Sequence, residues 1–440
     1  MKALPITAQE AQELLAPLAR FSHLAVAVSG GPDSVALMHL AARWRAGLAQ
    51  GPVLSVFTVD HGLRPESRGE AEFVARLASK LNLSHAVLTW HAHGPKSGRL
   101  QERARAARYD LMAQYCHAND IQALVTAHTL DDQAETFLMR LKRGSGLDGL
   151  AAIPEQGEWA GIAVLRPLLE VPKARLVATL DAAGIDYVAD PSNLDRRFER
   201  ARMRGSADAL AALGLTPEAI ARSARRLRRA REALHCAARD FLTAHSETSE
   251  AGYALLDPRA LAAAPYEIML RALSHLIGAV GGGETPVQLA KLEALLAAIQ
   301  VQPNEAHTLG RCCIGPVKGR LGIFRELRGA GLPVALIRPG EWALWDNRFR
   351  IELGADEQPI VVRALGESGL RQLSERADLP SGLPRLASRA LPACWRGEVL
   401  LGLPRIGRSG SDDAAALDCR AVFVGGAQTR DRGTAPRPSR

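Results

Sequence analysis

The sequence predicts an α/β fold: a parallel sheet with helices on both faces, followed by a mostly helical domain and a small β-containing C-terminal part. Three observations carry this prediction. From residue 23 to about residue 190, short apolar runs alternate with longer segments of 3.6-residue periodicity, the βαβα order of a parallel sheet. The runs are apolar almost throughout, as in strands covered on both faces. Beyond about residue 205, long helical patterns replace the alternation.

In order along the chain, HLAVAVS (23–29), VLSVFTVD (53–60), HAVLTW (85–90) and QALVTAH (122–128) read as strands, each followed by a helical pattern such as AEFVARLASKL (71–81). TPEAIARSARRLRRAREALHCAARDFL (216–242), EIMLRALSHLIGAV (267–280) and TPVQLAKLEALLAAIQ (285–300) are the helices of a second domain. From HTLGRCCIGPVKGRLGIFREL (307–327) to RPGEWALWDNRFRIELG (338–354), short alternating runs between turn residues predict strands. The expected domains are therefore 1–205, 206–328 and 329–420. Residues 421–440 form a tail with little to bury, expected to be disordered.

At 440 residues and 47% hydrophobic, the chain can bury a full core in two or three domains. No run approaches the roughly 20 apolar residues of a membrane helix. The N-terminus lacks the apolar block of a secretory signal, so the expected location is the cytoplasm. Six scattered cysteines, with no C-x-x-C and no Cys/His spacing of a metal site, are expected to be buried reduced thiols. The net charge of +8, carried by arginine more than lysine, favours a polyanionic partner.

Ligands of open α/β sheets bind beyond the carboxyl ends of the strands, so the residues after each run are the candidate site. After the first run comes SGGPDS, Ser29 to Ser34. Gly30 and Gly31 allow positive φ and close approach to an anion, Pro32 suits the first turn of a helix, and Ser29 and Ser34 add hydroxyls. The loop lacks a G-K-[ST] ending and a G-x-G-x-x-G spacing, so neither γ-phosphoryl transfer nor dinucleotide binding is indicated. Asp33, standing where such a lysine would be expected, suits a Mg²⁺ ligand beside a pyrophosphate leaving group.

After the second run, DHGLR supplies Asp60, His61 and Arg64; after the fourth, AHTLDDQAET supplies His128, Asp131, Asp132, Gln133 and Glu135. Carboxylates at a helix start are favoured by its dipole and can hold a cation, and Asp132 and Glu135 share a face. Arg105 and Arg108 lie three apart on a helix, and Arg143 opens the basic glycine loop RGSG. Arg200 and Arg204 follow the turn DPSN, and Arg222, Arg225, Arg226, Arg228 and Arg229 spread charge around the helix ARSARRLRRAR, suited to an RNA backbone.

SGGPDS resembles the S-G-G-x-D-S PP-loop of the N-type ATP pyrophosphatases, which have a Rossmann-like sheet and cleave ATP between its α- and β-phosphates. VDHGLR, QERARAARYDLM, LKRGSGLDGLAAIP, LRPLLEVPKARL and DPSNLDRRFERARMR resemble, in the same order, segments of the tRNA(Ile)-lysidine synthetases. The family's usual R-N-R-I-R is Arg200-Ala201-Arg202-Met203-Arg204 here. The resemblance covers roughly residues 20–205, making 1–205 the catalytic domain and 206–328 a tRNA-binding one.

The resemblance implies a reaction. The wobble cytidine of an isoleucine tRNA with a CAU anticodon is adenylated by ATP, and free L-lysine then displaces AMP. It implies a catalytic set of Asp33, Asp60, His61, Arg108, His128, Asp131, Asp132 and Glu135. ATP would be held by residues 29–34 with Arg64 and Arg143, Mg²⁺ by Asp33 and Asp132, and tRNA by Arg200, Arg204, Arg222, Arg225, Arg226 and Arg229. A homodimer is allowed but not required. Two alternatives stand beside this: a PP-loop cytidine thiolase, which should carry paired C-x-x-C cysteines that this chain lacks, and a non-catalytic tRNA-binding protein, which would not need Asp33, Asp131 and Asp132 intact.

Overall fold

The computed structural model describes residues 3–60, 66–89, 100–188, 199–283, 285–327, 331–375, 382–406 and 417–425. Helix α1 (Ala8–Leu15) opens the chain with a capping box: the Thr7 hydroxyl accepts from the Glu10 N–H, and the Glu10 carboxylate accepts from the Thr7 N–H. The first apolar run then forms β1 (His23–Ala27), and alternation continues through α2 (Pro32–Ala46), β2 (Val53–Asp60), α3 (Glu66–Lys80), β3 (Ser84–Thr89), α4 (Leu100–Ala118) and β4 (Ala123–Val125). After β4 come α5 (Leu130–Lys142), α6 (Leu147–Leu150), β5 (Gln156–Trp159), β6 (Ile162–Leu165) and α7 (Lys173–Ala183).

The strands make one sheet in the order β3-β2-β1-β4-β6-β5. All neighbours are parallel except the terminal β5–β6 hairpin, an addition to the four strands expected from sequence. Its turn residues Ala160 and Gly161 both have positive φ, as a type I′ turn demands. The two-residue period of a strand sends β1 into two cores at once. Leu24 and Val26 pack with α1, α2, α3 and α7; Ala25 packs with Phe57, Leu124 and the α4 residues Tyr109, Met112 and Cys116. Helices therefore cover both faces. From β1 the chain runs to β2 and β3 on one side, then returns to place β4 on the other. The loops leaving β1 and β4 diverge at this switch point and open a crevice at the carboxyl edge.

Three further helices follow: α8 (Glu199–Arg204), α9 (Ala207–Ala212) and the long α10 (Pro217–His245). The chain divides into two compact units, Met1–Arg231 and Glu232–Arg440, with the division inside α10. In the second unit, helices Tyr266–Gly281 and Leu289–Val301 share a core with a five-stranded sheet: its strands His307–Leu309, Cys312–Val317 and Arg320–Arg325 fall in the run expected to form strands, whereas Ser246–Thr248 and Ala254–Leu256 lie in the segment expected to be helical. Two four-stranded sheets follow and share a core around Trp345, Phe349, Ile351 and Val362. Of the cysteines expected to be buried, Cys116, Cys312, Cys394 and Cys419 are, whereas Cys236 is exposed and Cys313 half-buried; all are free thiols. Among the described residues no helix is long and apolar enough to cross a membrane.

Candidate active site

The loop after β1 is closed by its own side chains. Val28 extends the ladder by donating to the Phe57 carbonyl at 2.8 Å, and Gly30 then turns with φ +87°, a value that excludes side chains without strain. Val188, just beyond α7, donates to the Gly30 carbonyl at 2.9 Å and holds the turn from outside. The Ser34 hydroxyl donates to the Gly31 carbonyl at 3.0 Å and accepts the Ser29 N–H at 3.1 Å. Ser34, expected to meet an anion, thus shapes the loop, while Ser29 is exposed. Gly31 caps α2 with no side-chain bond and Pro32 follows, so the first-turn N–H groups and the positive end of the helix dipole face the crevice.

Asp33 stands in that first turn. Its Oδ2 accepts from Lys173 Nζ at 3.0 Å, and its Oδ1 is buried without a hydrogen-bond partner among the described residues. Burial raises its pKa above the usual carboxylate value; Lys173 opposes the rise, and the negative charges of Asp132 and Asp131 add to it. Three carboxylates on two helix starts therefore sense one another.

The two aspartates after β4 have different local tasks. Thr129 caps α5 in a reciprocal box with Asp132, whose Oδ2 accepts the Thr129 N–H at 2.9 Å. Asp131 reaches across to the start of α7 and accepts the Lys173 N–H at 2.7 Å. His128 is half-buried, with Nδ1 3.0 Å from the Thr126 hydroxyl. Gln133 is buried and exchanges two 2.8 Å bonds with the backbone of Ile153, tying the segment after α6 to α5. Two residues on, the buried Glu135 accepts from Arg204 of α8 at both oxygens, Nε at 2.5 Å and Nη2 at 3.4 Å. Burial disfavours the Arg204 charge, but Glu135, then Asp132 and Asp33, outweigh it and raise its pKa above the ordinary arginine value. Arg204 therefore belongs to the carboxylate cluster, although sequence reasoning placed it on RNA.

Other expected residues are spread more widely. Asp60 ends β2 on the same sheet edge, half-buried, and Arg108 of α4 lies 5.5 Å from the Tyr109 ring centroid. Arg143 is at the opposite end of α5, about 16 Å along the axis from Asp132 at about 1.5 Å per residue. There it pairs with Glu199 at 2.7 Å, so the structure does not bring it to the loop at Ser29–Ser34. On α10, Arg222, Arg226 and Arg229 are exposed on one helical stripe, Arg225 pairs with Glu170 at 2.7 Å, and Arg228 is buried on Glu155 and the Ile153 carbonyl. His61, Arg64, the DPSN turn (190–193) and the side chains of Arg105 and Arg200 lie outside the described residues.

Sequence reasoning missed Lys173, which lies 140 residues from its partner Asp33. A signal existed: Pro172 caps α7, so Lys173 is a cation in a helix first turn, where the dipole disfavours it unless an anion is near. As a cation site the cluster fits Mg²⁺. Asp33 Oδ1 lacks a partner among the described residues, Asp132 is close enough to shift Asp33, and Mg²⁺ is typically held by one or two carboxylates with phosphates and water. Among the described residues no three His, Cys, Asp or Glu side chains form a self-sufficient metal centre.

The sequence profile of the PP-loop domain matches residues 4–210. The chain is 50% identical over 340 residues to a tRNA(Ile)-lysidine synthase of Bradyrhizobium sp. strain BTAi1, covering 76% of this chain and 93% of the relative. A tRNA(Ile)-lysidine synthase of Bradyrhizobium diazoefficiens is 45% identical over 75% of this chain and 92% of its own length. One from Ruegeria pomeroyi is 39% identical over 87% of this chain and 88% of its own.

Proposed function

The chain belongs to the tRNA(Ile)-lysidine synthase family, and from that premise we propose that it joins free lysine to the wobble cytidine of an isoleucine tRNA with a CAU anticodon, consuming ATP. The observation that carries the reading is the meeting of the Ser29–Ser34 loop with Asp33, Asp132 and Glu135 at the sheet's switch point, in a chain aligned with 93% of a relative of that name.

In the first step the cytidine C2 carbonyl oxygen attacks the α-phosphorus of ATP, and the bond to the bridging oxygen of pyrophosphate breaks. The first-turn N–H groups of α2 and the open turn at Gly30 and Gly31 are suited to the departing pyrophosphate. Mg²⁺, where bound, neutralises phosphate charge; Asp33 would hold it, with Asp132 beside it through the oxygen outside the capping box. In the second step the lysine ε-amine attacks C2, AMP leaves, and the amine loses a proton. Glu135 and Arg204 present opposite charges at one place, a match for the ammonium and carboxylate of a free amino acid. His128, half-buried at the strand end, is a candidate to accept the proton. Arg222, Arg226 and Arg229 would meet the tRNA backbone.

The test is incubation with ATP, Mg²⁺, labelled lysine and either the isoleucine tRNA or the methionine tRNA that shares its anticodon. Label should enter only the isoleucine tRNA, with one pyrophosphate released per lysine. Pyrophosphate release that requires a sulfur donor would point to a thiolase, and tRNA retention without turnover to a binding protein.

A further inference from the structure

The loop at Ser29–Ser34 contains no lysine, yet a lysine reaches it from another part of the chain. Resting on the ATP reading above, we propose that Lys173 is the cation of the phosphate site: paired with Asp33 in the structure, it bonds the β- and γ-phosphates of ATP once Mg²⁺ occupies Asp33.

Three features point to this. The Lys173 main chain is fixed at the mouth of the crevice, because its N–H is bound to Asp131 at the start of α5. Its side chain is 36% exposed, so a bound phosphate can reach it, and its one described partner is Asp33, itself 24% exposed. Finally, a lysine in the first turn of α7 opposes the helix dipole, and its cost is offset only while an anion is in reach. Asp33 is that anion in the structure. When a divalent cation takes Asp33, the ammonium loses its counter-charge, and the phosphates beside the N-terminus of α2 are the available replacement. An ion pair that merely fastened α7 to α2 would not need its acidic half at the candidate metal position with one oxygen unpartnered.

The experiment measures, by titration calorimetry, the affinity of wild type, Lys173→Met and Lys173→Arg for ATP with Mg²⁺, pyrophosphate with Mg²⁺, and AMP. Loss of one charge-assisted contact should weaken ATP and pyrophosphate binding about 10- to 100-fold in Lys173→Met, leave AMP binding within about twofold, and be partly restored in Lys173→Arg. Thermal melting gives a second readout. Mg²⁺ alone should raise the melting temperature of Lys173→Met more than that of wild type, because Asp33 is no longer shielded. Unchanged affinity for ATP and pyrophosphate, a parallel loss for AMP, or an equal Mg²⁺ response in both proteins would overturn the proposal. Should wild type bind no ATP at all, the ATP reading falls and this one with it.

Discussion

Replacing Arg204 by alanine removes a charged partner of a buried carboxylate. Glu135 has a 9% exposed side chain and is held at two oxygens, so the loss resembles the breaking of a buried ion pair, which costs roughly 3–5 kcal/mol. Arg204 is 38% exposed, and water entering its place reduces this to about 1–3 kcal/mol. Spread over a unit of 231 residues, that lowers the melting temperature by roughly 2–12 °C. If the pair recognises the amino acid, KM for lysine rises about 10- to 100-fold while KM for ATP stays within about twofold. Steady-state kinetics in both substrates with a thermal melt provide the check. An unchanged lysine KM, or equal changes for lysine and ATP, would refute the assignment even if the melt shifts as expected.

Asp33→Ala should abolish pyrophosphate release while tRNA binding, followed by filter retention, persists; normal turnover would remove Asp33 from the phosphate site. Exchanging Arg222, Arg226 and Arg229 together for alanine should weaken tRNA binding and flatten its dependence on salt by roughly one logarithmic unit for each arginine that meets a phosphate. In contrast, Arg228→Ala should lower the melting temperature, because Arg228 is buried on Glu155 and the Ile153 carbonyl; tRNA affinity falling with an unaltered melt would contradict this. Glu10 has its pKa lowered from 4.5 by the Thr7 N–H first and then by Arg175, so the folded state holds its ionised form. Its contribution is present above the unfolded pKa and lost as pH falls through the lower folded value. Melts recorded down the acid range should therefore show a smaller pH dependence in Glu10→Gln, and identical slopes would contradict the linkage.

Much of this was legible in the sequence because the signals are local. Parallel strands buried on both faces are continuous apolar runs, so β1, β2 and β4 could be placed from residue type alone, and the edge strand β3, though partly exposed, keeps the apolar stretch Ala86-Val87-Leu88. The loop at Ser29–Ser34 announces a strand-to-helix anion site through its glycines and proline. Harder to read were residues whose partners are distant. The pairings of Lys173 with Asp33, Arg204 with Glu135 and Arg225 with Glu170 are set by how helices pack, and no spacing in the chain reveals them. Asp132 was visible, but a capping box and a metal site use the same residue at the same position, and only geometry separates one oxygen from the other. The β5–β6 hairpin escaped notice because Ala160-Gly161 replaces the usual Asn-Gly in a turn that demands positive φ at both residues.

The crevice between β1 and β4 should activate a cytidine for attack by lysine. The most direct measurement is mass spectrometry of nucleosides from CAU-anticodon isoleucine tRNA, after incubation with wild type or Asp33→Ala in the presence of ATP, Mg²⁺ and lysine. Wild type should convert the wobble cytidine to a product heavier by one lysine less one water, with one AMP formed per conversion, and Asp33→Ala should leave it untouched. An unmodified cytidine after incubation with wild type, or one that has gained sulfur instead, would contradict lysine transfer at this site.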